Sequence, residues 1–449
     1  MQKITFLILL ISSVILCPTK SHAQMQSLMT TSTKRVLNPA TTAMTPVKSV
    51  AVNNKSIITA INYKYSLTGA QIMGAAFYLT NDDSNAASGP NYRAKVGHLP
   101  NFQITDMEID RHEVFFCGTK NHVPFFAHTY LTNLINGGVV DIFMLPTMAE
   151  VFKIDVYKNT NGERKVSLIG YIGRYVFIDV NLASLQNKVY VMSSNIRLLD
   201  VRHGANTVAV LGQRENGKFA LISHNRNDLQ NYNGCLYQTP QLYLDDSVGN
   251  YHYLLEMYRD NLNDIAIVGY SGMDFSSGTT ISLIQLSNMS VMHTQAVDSR
   301  KEVRSKFKDM RIDDFKRYLL CLIENPMTGV NDNIFVLDPM YSGSGSYTVN
   351  VAIPDTNTNA NYFTSLAPYI GSASYVVLGK NNNSVTFFDK ISSSYSNLNC
   401  AGQTSFRVDT IEKIEKLGSI YYEDINSLPM SHDTVNSASA IATYSIICQ

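Results

Sequence analysis

From Ile57 onward, apolar and polar residues alternate along most of the chain, the period of a half-buried strand. Short, wholly apolar runs interrupt the alternation at intervals: VFFCG (114–118), VSLIG (166–170), VAVLG (208–212), IAIVG (265–269), YLLCLIE (318–324), YVVLG (375–379) and SIYYE (419–423). Each run follows an alternating stretch with an anchor near its end: Asp110, Asp155, Asp200, Asp260, Asp313, Ile370 and Glu415. Neighbouring anchors stand 45 to 60 residues apart. A third run follows in most repeats, as in YVFID (175–179), FALIS (219–223), ISLIQ (281–285), IFVLD (334–338) and VTFFD (385–389). A less regular fourth follows these, as in KVYVMS (188–193) and YTVNVAI (347–353).

Strand-rich repeats of this length predict an all-β protein, a β-propeller of seven four-stranded blades, with six or eight also compatible with the spacing. The apolar second strand predicts a strand covered on both faces. The glycine that closes it predicts a position with positive φ. DMEID (106–110) and DMRID (309–313) are near copies and predict equivalent first strands. Thr410 to Leu417 has the best helical composition, but its place in the repeat predicts a first strand instead. The ring is expected to be closed by N-terminal strands: residues 72–98 would complete the final blade, joined by IATYSIIC (441–448).

The N-terminus reads differently. Lys3, an apolar core from Ile4 to Leu16, and Ser21-His22-Ala23 predict a secretory signal peptide over 1–23. Export to the periplasm or cell surface follows from it. Leu16 before Cys17 disfavours lipidation there. Residues 24–56, rich in Thr, Ser, Asn and Ala, read as a flexible lead-in, and 57–449 as a single propeller domain. No later run is apolar enough for a transmembrane helix.

Composition narrows the function classes. Thirty-six Lys and Arg balance 36 Asp and Glu at a pI near 7.1, without the electrostatic footprint of a nucleic-acid binder. The five cysteines beyond the signal segment are an odd number, and Cys117 and Cys321 sit in apolar strands as buried free thiols. The chain has no Trp, which excludes the Asp-box of sialidase-like propellers. His112, Cys117, His122 and His128 are the densest run of metal-ligand types, but the odd spacing of His112 and Cys117 opposes a shared strand face, so no metal or other cofactor is expected. Gly269-Tyr270-Ser271-Gly272 misses the hydrolase elbow by one position and reads as a turn.

Two groups of residues remain as binding candidates on one face. The basic stretch 300–311 offers Arg300, Lys301, Arg304 and Lys306 for an anionic group, or as plain solvated surface. The loops after the second strands offer His122, Arg214, Tyr270 and Asp274. Asp106, Asp309 and Asp409 are expected to line the channel, where paired carboxylates could serve hydrolysis.

The signal segment, ITDMEI followed by VFFCG, and the recurring apolar strands together resemble secreted β-propeller proteins of Bacteroides-type bacteria. The resemblance spans most of 57–449, and its motifs are structural. It implies an exported propeller, and no catalytic residue is carried over. The leading expectation is a non-enzymatic binder of a protein partner or glycan. A polysaccharide-cleaving propeller enzyme and a structural cell-surface component are the alternatives.

Overall fold

The computed structural model describes residues 31–37, 43–67, 70–81, 91–239, 251–259, 263–272, 279–297, 306–313, 318–324, 332–337, 340, 347–354, 361–371, 375–381, 384–392 and 401–448. Among these the chain is almost wholly β; one short helix, Leu131–Asn136, packs Leu131, Leu134 and Ile135 inward. The strands form a β-propeller. Its innermost strands are Ala43–Ala51, Phe102–Asp110, Glu150–Lys158, Ile196–His203, Tyr251–Arg259, Lys306–Ile312 and Asn361–Pro368, each packed against the next and the last against the first. Each begins an antiparallel blade, numbered 1 to 7 below in that order. Blades 1 to 6 take their four strands consecutively from the chain. The seventh is composite: three strands from 361–392 are completed by Thr31–Leu37, which pairs with Ser384–Ser392.

The propeller expected from the repeats is present, and an N-terminal strand does close it, but the closing elements differ from those expected. Residues 72–81 and 91–98 belong to blade 1, whose inner strand Ala43–Ala51 lies in the stretch read as a flexible lead-in. Met44, Lys48, Ser49 and Ala51 are buried there. The small and polar composition misled because an inner strand faces a charged channel and needs little apolar surface of its own.

The C-terminal segment was also misassigned. Residues 406–423 supply no first strand. After blade 7 the chain runs back around the perimeter as a belt, meeting the blades in reverse order. Ala401–Ile411 pairs with the outer strands of blades 5 and 6. Glu415–Ser419 then joins blade 4, Asp424–Asn426 blade 3 and Ser431–Asn436 blade 2. Ala438–Cys448 pairs with both Asn91–Pro100 of blade 1 and Thr31–Leu37 of blade 7, so 441–448 does meet the ring-closing region. The belt strands over blades 2 to 4 are short, polar and exposed, which leaves a poor edge for pairing with another chain.

The core lies between the blades. Ile169, Phe177 and Tyr190 of blade 3 interleave with Leu198, Val210 and Ile222 of blade 4. Similar clusters fill the spaces between blades 1 and 2, 2 and 3, 4 and 5, 5 and 6, and 7 and 1. This is why the second strand of each repeat is apolar on both faces. Cys117, Cys235 and Cys321 are buried free thiols in these layers.

The closing glycines have another cause than the one expected. Gly170, Gly212 and Gly269 lack positive φ. Gly118, Gly170, Gly212 and Gly379 lie opposite Ile104, Val151, Leu198 and Phe363, each of which opens a β-bulge in the inner strand. The bulge pushes backbone towards the glycine: a Cβ on Gly118 would sit 1.9 Å from the Gln103 carbonyl oxygen. Bulges re-aim side chains, and here the residues that follow them, among them Asp106, Lys153, Asp200 and Asp309, line the central channel.

Candidate functional site

The channel is filled with paired charge. The Lys48 ammonium from blade 1 donates to Asp106 Oδ1 at 2.9 Å and to Glu108. Arg202 of blade 4 reaches across to Glu108 at 2.7 Å. Acids also tie blade 2 to 3, blade 3 to 4 and blade 6 to 7. Asp106 accepts the Ile154 N–H at 3.1 Å, Asp155 the His203 N–H at 2.7 Å, and Asp309 the Leu366 N–H at 2.8 Å. Burial alone would raise the Asp106 and Glu108 carboxyls, yet Lys48 and Arg202 outweigh it and hold both below the usual carboxylate range. A general acid must titrate near the working pH, and these groups are held away from it. Asp106 and Asp309 line the channel as expected; Asp409 does not, because it pairs with Ala296 on the belt.

A second, larger cavity of about 540 Å³ opens on the face carrying the turns between first and second strands. That is opposite to the face favoured from the sequence. Four segments build it: the turn 159–163 and the turn 181–187 of blade 3, the loop 226–229 of blade 4, and Ser427-Leu428 of the belt. Its lining is polar. Asn159, Asn161, Asn181, Gln186, Asn187 and Asn227 supply amides. Glu163, Asp179 and Asp228 are matched in number by Lys165, Lys188 and Arg226.

Local hydrogen bonds fix these turns. The Asn159 amide donates to Glu163 Oε2 at 2.7 Å and accepts the Glu163 N–H at 2.9 Å. Asn227 Oδ1 accepts the Thr160 N–H at 3.1 Å, joining the two blades. Asn187 holds Leu428 of the belt by two bonds, its amide donating at 2.9 Å and its oxygen accepting at 2.8 Å. On the cleft wall, the Arg226 guanidinium lies 5.6 Å from the Tyr157 ring centroid. The Tyr157 hydroxyl donates to Asp179 Oδ1 at 2.9 Å, and Lys165 stands 3.7 Å from the other oxygen. Burial raises the Asp179 carboxyl against the opposing pull of Lys165 and Tyr157. Asn161, Gln186 and Lys188 remain exposed on the rim.

The residues proposed from sequence are not gathered here. His122 is exposed in a two-residue hairpin turn with Asn121, both in the left-handed region. Arg214 ends the strand Thr207–Arg214 of blade 4, at the face opposite to the cleft. Tyr270 is not a loop residue: its strand continues to Gly272, and the side chain is buried between Phe219 and Tyr253. Lys306 begins an inner strand, opposite Glu324 in register. Asp274, Arg300, Lys301 and Arg304 lie outside the described residues. His112, Cys117, His122 and His128 are not brought together. Cys117 is buried beside Thr105, and His128 stacks on Phe115 and Phe143. His112 and His122 occupy turns at opposite ends of the strand Glu113–Lys120.

The cleft had a signal in the sequence, the Asn-rich segments KNTNGE (158–163), NLASLQNK (181–188) and NRNDLQN (225–231). Asn is common in any turn, so only their meeting in space sets these apart.

No protein-family model matches the chain, and no curated protein does. Among solved structures it is similar to the crystal structure of the Cps50 (Swd1) β-propeller domain of Myceliophteria thermophila. The identity is 8%, the TM-score 0.43, and the match covers 71% of this chain and 93% of that one. Among the described residues, no helix is long and apolar enough to cross a membrane.

Proposed function

We propose that this protein is an exported, non-catalytic propeller that binds a glycan in the polar cleft between blades 3 and 4. The observation that carries the reading is the cleft itself. Amides and balanced charges surround a space large enough for a sugar chain, on turns already locked by their own hydrogen bonds. A neutral, hydroxyl-rich ligand suits amide donors and acceptors and a lining with three acids against three bases. Fixed turns reduce the ordering cost of binding. A hydrolytic role in the channel is disfavoured because its acids are spent on Lys48, Arg202 and backbone N–H groups.

The test is an array of plant, fungal and host oligosaccharides, followed by calorimetry on retained sugars and analysis for cleaved product. The expected result is an intact bound sugar, held roughly tenfold less tightly by the Asn161→Ala/Gln186→Ala double variant, a loss of about 1.4 kcal/mol. Equal binding by the variant would remove the cleft from the reading, absence of any retained sugar would remove the glycan, and cleaved product would make the protein an enzyme.

A further inference from the structure

The central channel holds a smaller cavity, of about 100 Å³, lined from the middle of the inner strands. Its lining includes five cations, Lys48, Lys153, Arg202, Lys308 and Arg311, against three acids, Asp106, Asp200 and Asp309. The acids are engaged. Asp106 is held by Lys48 and the Ile154 N–H, Asp200 accepts the Val201 N–H at 2.9 Å, and Asp309 accepts the N–H groups of Met310 and Leu366. Lys48 and Arg202 are engaged too, through Asp106 and Glu108.

Two of the cations are left differently. Lys153 makes no hydrogen bond with any described residue; burial and the neighbouring Arg202 and Arg311 disfavour its charge, but the pull of Asp200 and Asp106 outweighs them. Arg311 stands 3.5 Å from Asp309 and 3.7 Å from Glu256, ion contacts beyond hydrogen-bonding reach. Lys153 and Arg311 also repel each other and Arg202 across the same space. Cationic donors held on a rigid channel wall near acids but outside good hydrogen-bonding geometry leave free energy that a better-placed acceptor can recover.

We infer that this channel cavity is a binding site for a small oxyanion, with Lys153 and Arg311 as its principal donors. The volume admits one small group, such as inorganic phosphate, sulfate or a carboxylate, and not a polymer. Arg311 supplies a planar fork and Lys153 a compact ammonium, a pairing suited to oxygens that diverge from one centre. The anion relieves the cation–cation repulsion. It leaves the blade-joining acids in place, since each already has a donor on its oxygen. The site shares no lining residue with the sugar cleft and stands independently of it.

The experiment is calorimetric titration of the intact protein with inorganic phosphate, sulfate and acetate in a chloride buffer, with phosphorus NMR line broadening as a second readout. Saturable binding of at least one of these anions is expected. It should weaken at least roughly tenfold in Lys153→Met and persist within roughly threefold in Lys153→Arg. Lys153 makes no hydrogen bond with a described residue, so the variants should fold; thermal unfolding checks this. If Lys153→Met does not fold, phosphate titration of Arg311→Lys, which keeps the charge and loses the fork, takes its place. Preference for phosphate or sulfate would assign a tetrahedral anion, and preference for acetate a carboxylate-bearing ligand. Absence of saturable binding of all three at about 10 mM, a range of negligible affinity, would overturn the inference. So would unchanged affinity in Lys153→Met.

Discussion

Replacing Lys48 by Met tests the architecture at its most informative residue. Composition places Lys48 in a flexible lead-in, where a substitution should change stability by no more than about 0.5 kcal/mol. The structure places it on the innermost strand of blade 1, 5% exposed, with its ammonium 2.9 Å from Asp106 and bonded to Glu108. At an effective dielectric of about 20, a pair at 2.9 Å attracts by roughly 6 kcal/mol. Desolvation of both ions offsets much of this, and removing one partner of a buried pair typically costs about 3–5 kcal/mol. Arg202 still serves Glu108 in the variant, so the lower half of that range is expected. With an unfolding entropy of about 2.1 cal/mol/K per residue over roughly 400 residues, the full range is a fall in Tm of about 4–6 °C.

Acid should narrow the gap. The Asp106 and Glu108 carboxyls are depressed in the folded parent, so their contribution is complete above the ordinary carboxylate range and fades as pH falls below it. Lys48→Met has already lost much of that contribution. The difference between parent and variant should therefore shrink below about pH 4. Urea denaturation at pH 7 and pH 3.5 measures both effects. A loss under about 1 kcal/mol at pH 7, or a gap that widens in acid, would refute the buried-pair account.

Two further perturbations probe the belt and the core beneath the cleft. Ending the chain at Ile411 removes the outer strands from blades 2 to 4 and the link between blades 1 and 7, and should give an aggregating protein with increased dye binding on size-exclusion analysis; a monodisperse product of parental Tm would show that the belt is dispensable. His224 is fully buried, its Nδ1–H donating to the Leu229 carbonyl and its Nε2 accepting from the Tyr422 hydroxyl of the belt, and burial lowers its pKa to about 4. The unfolded chain binds the proton first, so this residue should cost stability progressively as pH falls from about 6.5 to about 4, by roughly 3 kcal/mol in all. His224→Gln should flatten that limb of a denaturation-versus-pH curve, and an unchanged slope would place the dependence elsewhere.

The sequence by itself determined the β class, the propeller and most of the blades. Those features follow from local periodicity: alternation in the inner strand, a doubly covered apolar second strand, and a repeat long enough for four strands. DMEID and DMRID do mark equivalent inner strands, because each carries an acid just past a bulge and aims it at the channel. Cys117 and Cys321 were legible as core thiols for the same reason.

What only the tertiary structure decided depends on contacts between residues distant in the chain. The inner strand 43–51 looks like a linker because it adds only Met44 and Ala51 to an apolar layer supplied mainly by later strands of its own blade and by blade 7. The segment after 400 reads as the first strands of the seventh repeat, yet short polar strands can serve equally as a belt on the blade edges. Glycine in an apolar strand carried information, but about a bulge on the facing strand and not about its own φ. Both cavities are of this kind. Each takes residues from several blades, and each residue alone resembles an ordinary turn amide or a solvated charge. Periodicity fixes which way a side chain points within its strand; only ring closure fixes which side chains meet.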